Sequence, residues 1–208
     1  MKKIAITQRL VENSSYYEIR ESLDIKYCKL VDVCQLLPIV LPYEVDFINY
    51  FDDIGIDGVI LTGGNDLDVC NINELSKKRD DFEKKLLEYC IVKEIPIFGI
   101  CRGMQIIASF FGSTFKMIDG EVNKKEKIMV NSDSQYSSNL YKIDYVNSYH
   151  NFEIDQISDD FIVVATNKNS VIKAIEHKKY KIFAQMWHSE REKVFDINQI
   201  NLIKEFFR

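Results

Sequence analysis

Short apolar runs recur along the first half of the chain, each separated from the next by a stretch with helical spacing. Lys3 to Thr7 reads as a strand, as does Pro38 to Leu41, which is bracketed by Pro38 and Pro42. Glu44 to Asp53 has helical spacing. Gly58 to Leu61 is a buried strand that runs into Thr62-Gly63-Gly64-Asn65. Lys77 to Lys93 predicts an amphipathic helix, with Phe82, Leu86, Leu87 and Cys90 on one face and charges on the other. Ile95 to Ile100 is the next strand, and Gly103 to Phe111 the next helix, closed by Gly112. Continuous apolar strands alternating with helices predict an α/β fold, a mostly parallel sheet flanked by helices. Ligands of such sheets bind beyond the carboxyl ends of the strands, where both glycine-rich turns of this chain fall.

The second half differs. Glu121 to Lys127 is charged and Asn131 to Asn139 polar, so 121–139 reads either as a mobile loop or insertion or as a plain surface connection. Runs at Tyr141–Val146, Phe161–Thr166, Val171–Ile175 and Lys181–Trp187 have hairpin-like spacing and predict additional antiparallel strands. A helix over Ile197 to Phe207 closes the chain. No internal repeat is present, and residues 1–208 read as a single domain.

Composition narrows the function classes. Hydrophobic residues make up 46% of the 208 positions, enough for a large core. The net charge of −5 opposes a nucleic-acid binder while leaving room for a local basic pocket. No run approaches transmembrane length and the apolar N-terminal stretch is too short for a signal peptide, so a cytoplasmic protein with no membrane partner is expected. The five cysteines are scattered, with no Cys-x-x-Cys. Neither a metal site, a cofactor nor a disulfide framework is expected, and Cys28, Cys34, Cys70 and Cys90 read as core or near-surface residues.

Cys101 is the exception. It lies in Gly99-Ile100-Cys101-Arg102-Gly103, between a strand and a helix, the layout of a nucleophile elbow. Gly99 and Gly103 are the small neighbours that such a strained turn needs, and the helix N-terminus favours thiolate. Alone the motif is weak, but its partners are present. His188 follows a strand and Glu190 lies two residues later, so a persisting extended backbone would put both side chains on one side. Cys101, His188 and Glu190 thus form a candidate catalytic set of nucleophile, base and orienter. The backbone N–H groups of Arg102 and Gly64 are candidates for the oxyanion hole, with Gly63 allowing close approach to a substrate. His177, among charged neighbours, reads as a solvated turn residue. His150, in Val146-Asn147-Ser148-Tyr149-His150, reads equally as pocket or loop.

These residues resemble class I glutamine amidotransferase domains, and most closely their gamma-glutamyl hydrolase (peptidase C26) branch. The resemblance rests on Leu61-Thr62-Gly63-Gly64-Asn65-Asp66, on Arg79-Asp80 with Glu83, on Pro96 through Gln105, on Val146 through His150, and on Gln185 through Glu190. It implies a flavodoxin-like sheet and a thiol attack on a gamma-glutamyl amide, giving a thioester that water hydrolyses to glutamate. It also implies that Gln105 lies near the glutamyl group and that Asn147, Ser148, Tyr149 and His150 form the pocket rim. A narrower likeness, to hydrolases of bacterial capsule phosphoramidate synthesis, implies a small-molecule substrate whose leaving group is nucleotide-linked. Arg9, Arg102, Lys124, Lys125 and Lys127 are the cations that could meet its pyrophosphate, or ordinary solvated charges. Two departures stand out. Ser189 occupies the place of a usual proline, which loosens that turn, and Ser113 replaces the second glycine after the elbow helix.

Two other functions compete. A glutaminase subunit feeding ammonia to a separate synthetase would share the same residues. A non-catalytic relative with an elbow cysteine usually carries His directly after it, where this chain has Arg102. The sequence carries no information on oligomeric state.

Overall fold

The computed structural model describes residues 1–208. The first half alternates as expected. Strand β1 (Lys3–Ile6) is followed by a hairpin of β2 (Arg9–Glu12) and β3 (Ile19–Ser22), then α1 (Ile25–Val33) and β4 (Leu37–Val40). Next come β5 (Gly58–Leu61), α2 (Glu74–Val92), β6 (Ile97–Ile100) and α3 (Arg102–Phe110). The second half adds β7 (Thr114–Met117), β8 (Val122–Glu126), β9 (Met129–Val130), the short α4 (Ser137–Leu140), β10 (Val146–Tyr149) and β11 (Phe152–Gln156). It ends with β12 (Phe161–Thr166), β13 (Ile172–His177), β14 (Ile182–Gln185) and α5 (Ile197–Phe206).

Eight strands form the main sheet in the order β4-β1-β5-β6-β14-β13-β12-β9. Neighbours from β4 to β14 run parallel, and β13, β12 and β9 continue the sheet antiparallel. The run Lys181–Trp187 is expected to be an antiparallel strand with hairpin-like spacing. Its strand β14 pairs antiparallel with β13 and also parallel with β6, because all four of its residues are buried and need a neighbour on each edge. That insertion is what brings the chain after β14, with His188, next to the end of β6, with Cys101.

Other expectations need correction. The stretch 44–53 is not a helix but ends in one π-helical turn (Tyr50–Ile54), stopped by Gly55 at φ 70°. Its four-residue aromatic spacing serves instead to pack Tyr43 and Phe47 on Phe82, and Phe51 on Tyr89. Residues 141–145 are not a strand: Leu140 and Ile143 are buried in a turn beside α5, and β10 begins only at Val146. The polar stretch 121–139 lies largely at the surface but is not a plain loop, since it holds β8, β9 and the start of α4 and buries Glu121. His177 is buried rather than solvated. Its ring packs on Phe111 and Tyr180 and its Nδ1 accepts from the Lys179 and Tyr180 N–H groups at 3.0 Å. No helix is long and apolar enough to cross a membrane.

Candidate active site

Cys101 stands at the end of β6 with φ 54° and ψ −106°, a region that favours glycine and that non-glycine residues occupy only under constraint. The constraint is visible. Its N–H donates to the Gln185 carbonyl at 2.8 Å, and its carbonyl accepts from Met104 and Gln105 N–H groups at 2.9 and 3.1 Å. A Cβ at Gly103 would collide with the Leu61 carbonyl, and one at Gly99 would stand 2.8 Å from the Gly103 backbone. The two glycines let α3 sit directly on β5 and β6, which puts Cys101 at the N-terminus of α3.

His188 and Glu190 meet, but not by the geometry expected. Residues 189–191 form a 3-10 turn rather than an extended strand, and the turn folds Glu190 back so that its Oε1 lies 2.6 Å from His188 Nδ1. Both groups are buried. Ser189 does not loosen this turn: its Oγ accepts from Gln185 Nε2 at 2.7 Å, which ties it to β14. His188 Nε2 is buried and has no hydrogen-bond partner. It faces the cavity that Cys101 also lines, about 250 Å³ in volume.

Cys101 and His188 favour each other's charged forms. Burial raises the Cys101 thiol, but the adjacent His188 cation more than offsets it, and the net shift is downward. Burial likewise lowers His188, while the Cys101 thiolate and then the Glu190 carboxylate raise it, leaving it pushed up to about 9. The arrangement is that of a thiolate–imidazolium pair.

The Gly63-Gly64 turn is held from three directions. Gly63 N–H donates to Tyr27 Oη at 3.0 Å, Arg79 donates to the Thr62 and Gly63 carbonyls at 2.8 and 3.0 Å, and Asn65 pairs with the Leu10 backbone. Gly64 has φ 97°, and a Cβ at Gly63 would stand 2.8 Å from His188 Cε1. Gly64 and Arg102 both line the cavity beside Cys101. Arg102 contributes only its backbone there, because its guanidinium is buried against Glu83 and Asp80, and so it is not available to a pyrophosphate. Lys124 pairs with Glu121 and Glu126, Lys125 pairs with Glu192, and Lys127 lies over the Tyr145 ring.

Of the expected rim residues, Gln105, Tyr149 and His150 line the cavity. Gln105 Nε2 donates to the Phe152 carbonyl at 3.1 Å. His150 lies in the pocket with both nitrogens engaged, Nδ1 with the Phe152 carbonyl and Nε2 with Lys173 Nζ, each at 3.0 Å. The Lys173 donor fixes Nε2 as acceptor and Nδ1 as N–H. Burial and then Lys173 lower His150 to about 4, so it is neutral and shows the cavity a carbon surface. Asn147 and Ser148 lie away from the cavity. Asn147 grips the His188 backbone, Oδ1 accepting from its N–H and Nδ2 donating to its carbonyl, each at 2.8 Å. Ser148 Oγ donates to Glu121 at 2.8 Å.

Sequence reasoning missed Tyr27, Lys173 and the role of Arg79, Asp80 and Glu83. The last three carried a signal. They recur on the buried face of α2 with Leu86, Leu87 and Cys90, so charges stand at core positions of a helix whose charges were assigned to the other face. A larger groove of about 670 Å³ between residues 43–47 and α2 contains no cysteine or histidine.

The Peptidase C26 family profile matches residues 3–190. The gamma-glutamyl-CDP-amidate hydrolase of Campylobacter jejuni is 40% identical over 207 residues, covering 98% of this chain and 96% of that protein. The glutamine-hydrolysing GMP synthase of Plasmodium falciparum is 29% identical over 170 residues, 66% of this chain and 30% of that one. Among solved structures, a protein described as a GMP synthase component from Thermoplasma acidophilum superposes with a TM-score of 0.75 at 22% identity, covering all of this chain and 92% of the other. A glutamine amidotransferase from Thermotoga maritima gives 0.67 at 17% identity, covering 98% and 83%. These two likenesses show the fold.

Proposed function

The chain belongs to the peptidase C26 family, and we propose that it hydrolyses the gamma-glutamyl amide bond of gamma-glutamyl-CDP-amidate, releasing glutamate and CDP-amidate. The observation that carries the reading is 40% identity over nearly the whole of both chains to a hydrolase of that name, together with Cys101 and His188 on one cavity.

In this mechanism the Cys101 thiolate attacks the gamma-carbonyl carbon. The carbonyl oxygen becomes an oxyanion that the Gly64 and Arg102 N–H groups stabilise. Imidazolium His188 gives its proton to the amide nitrogen as the C–N bond breaks, and CDP-amidate leaves. Neutral His188 then takes a proton from water as the water oxygen attacks the thioester carbon, and the C–S bond breaks to leave Cys101 thiolate, His188 imidazolium and the gamma-carboxylic acid, which loses its proton to solvent to give glutamate. Glu190 orients His188 through Nδ1 and offsets its charge throughout.

Incubation of the purified protein with gamma-glutamyl-CDP-amidate tests this directly. The expected products, by mass spectrometry, are glutamate and CDP-amidate, and Cys101→Ala yields neither. Absence of glutamate release by the wild-type protein would overturn the substrate assignment.

A further inference from the structure

The proposed reaction constrains where the leaving group lies. His188 Nε2 must reach the departing nitrogen, so whatever that nitrogen carries extends along the His188 side of the cavity. Tyr149 meets the His188 ring edge-on there, centroids 5.9 Å apart, and the Arg191 guanidinium stacks on the Tyr149 ring at 4.7 Å. Adjoining the cavity, beyond Gly63 and Gly64, a recess of about 70 Å³ is lined by Arg9, Tyr27, Glu190 and Arg191. It shares Gly64 and Arg191 with the main cavity. The Arg9 stem packs on Gly64, where a Cβ would stand 2.8 Å from Arg9 Cδ.

The chain is acidic, with a net charge of −5, yet neither of these guanidiniums has a carboxylate within hydrogen-bond distance. Arg9 is exposed and forms no ion pair. Arg191 has Glu190 as its nearest carboxylate at 3.8 Å, and that oxygen is already held by His188 at 2.6 Å. Asp24, the other acid of the recess, caps α1 by accepting from the Lys26 N–H at 2.9 Å. Arg20, Arg79 and Arg102, by contrast, each have a carboxylate partner. Two guanidinium forks without a hydrogen-bonded carboxylate, beside the cavity of an acidic protein, suit a ligand with several phosphate oxygens.

We propose that Arg9 and Arg191 clamp the diphosphate of the leaving group and set a preference for gamma-glutamyl amides whose nitrogen carries a nucleoside diphosphate over small neutral amides. The inference rests on the substrate reading above. The clamp holds the diphosphate equally before and during bond breaking, so it acts on KM more than on kcat.

Calorimetric titration of CDP into wild-type protein, Arg9→Gln and Arg191→Gln tests the clamp without relying on turnover. Each substitution is expected to weaken CDP binding about tenfold, with Arg→Lys recovering part of the loss. In parallel, KM for gamma-glutamyl-CDP-amidate rises by the same factor, and its advantage over a neutral gamma-glutamyl anilide collapses in the double variant. CDP that fails to bind the wild type, or that binds both glutamine variants as tightly, overturns the clamp even where the wild type cleaves the nucleotide substrate. Arginine-dependent CDP binding without cleavage of gamma-glutamyl-CDP-amidate would keep the clamp and remove the substrate reading. Arg9 is exposed, so Arg9→Gln carries the test should Arg191→Gln fold poorly.

Discussion

Behind Cys101 and behind His150 lie two buried ionic clusters that do different work. The first sets Arg79 and Arg102 against Asp80 and Glu83, with Thr7 Oγ1 donating to Glu83 at 2.8 Å. The second sets Lys173 against Glu121 and Glu126, each at 2.5 Å, with Ser148 and neutral His150 around it. The first cluster also holds backbone: Arg79 binds the Thr62 and Gly63 carbonyls, and Arg102 is the first residue of α3. The second holds a side chain, the His150 ring, and reaches solvent through Lys124, which is 30% exposed. The comparison teaches that the two turns flanking Cys101 are braced by guanidiniums, which stay charged at any ordinary pH. The pocket wall at His150 is braced instead by the Lys173 ammonium, hydrogen-bonded to the neutral imidazole.

Removing a partner should expose the difference. Glu83→Ala leaves two buried guanidiniums short of a counter-ion and is expected to cost about 3–5 kcal/mol of unfolding free energy in urea titrations. A loss below about 1 kcal/mol would contradict the bracing role. Lys173→Met, which leaves Glu121 and Glu126 facing each other, is expected to cost about 3 kcal/mol at neutral pH.

The Lys173→Met penalty should also change as pH falls. Burial opposes the Glu121 charge, but Lys124, Lys173 and Ser148 more than offset this and hold it down to about 2. A carboxylate lowered on folding contributes stability above its ordinary range near 4.5, and that contribution is lost as pH drops toward 2. The Lys173→Met deficit therefore shrinks across that window in urea titrations at stepped pH. A deficit that stays constant would place the role of Lys173 in packing rather than charge.

A third effect falls on the pair itself. With the Cys101 thiolate gone, Cys101→Ala should bring His188 down from about 9 in an NMR titration. In the wild type, gamma-glutamyl hydrolysis should decline as pH rises through about 9, because His188 then lacks the proton that the leaving nitrogen takes. The smallest change expected is at Ser189. Ser189→Ala removes the bond from Gln185 and should cost about 1 kcal/mol in thermal or urea unfolding, with the His188–Glu190 contact kept.

The parallel half of the fold was legible because its strands are continuous apolar runs and its turns are marked by Gly63, Gly64, Gly99 and Gly103. Cys101, His188 and Glu190 were legible for the same reason, since each follows a buried strand. In the antiparallel half the runs at Phe161–Thr166, Val171–Ile175 and Lys181–Trp187 were legible and form β12, β13 and β14, but the run at 141–146 was not. Residues 141–145 have strand-like composition, yet Leu140 and Ile143 are spent on packing a turn against α5, a tertiary preference that local pattern does not encode. The His188–Glu190 contact was anticipated from an extended backbone and is made by a 3-10 turn. Asn147 was expected at the substrate and instead grips the His188 backbone, because a polar side chain beside a buried strand end serves whichever partner lies closer. Lys173 lies in the strand Ile172-Lys173-Ala174-Ile175-Glu176-His177 and gave no sign that its ammonium would be buried.

The central claim is that Cys101 carries the gamma-glutamyl group. Hydrolysis of gamma-glutamyl-CDP-amidate in ¹⁸O-labelled water, read by mass spectrometry of both products, tests it most directly. The account predicts label in the gamma-carboxylate of glutamate, none in CDP-amidate, and no turnover in Cys101→Ala. Label on phosphorus, or undiminished turnover without the thiol, would contradict it.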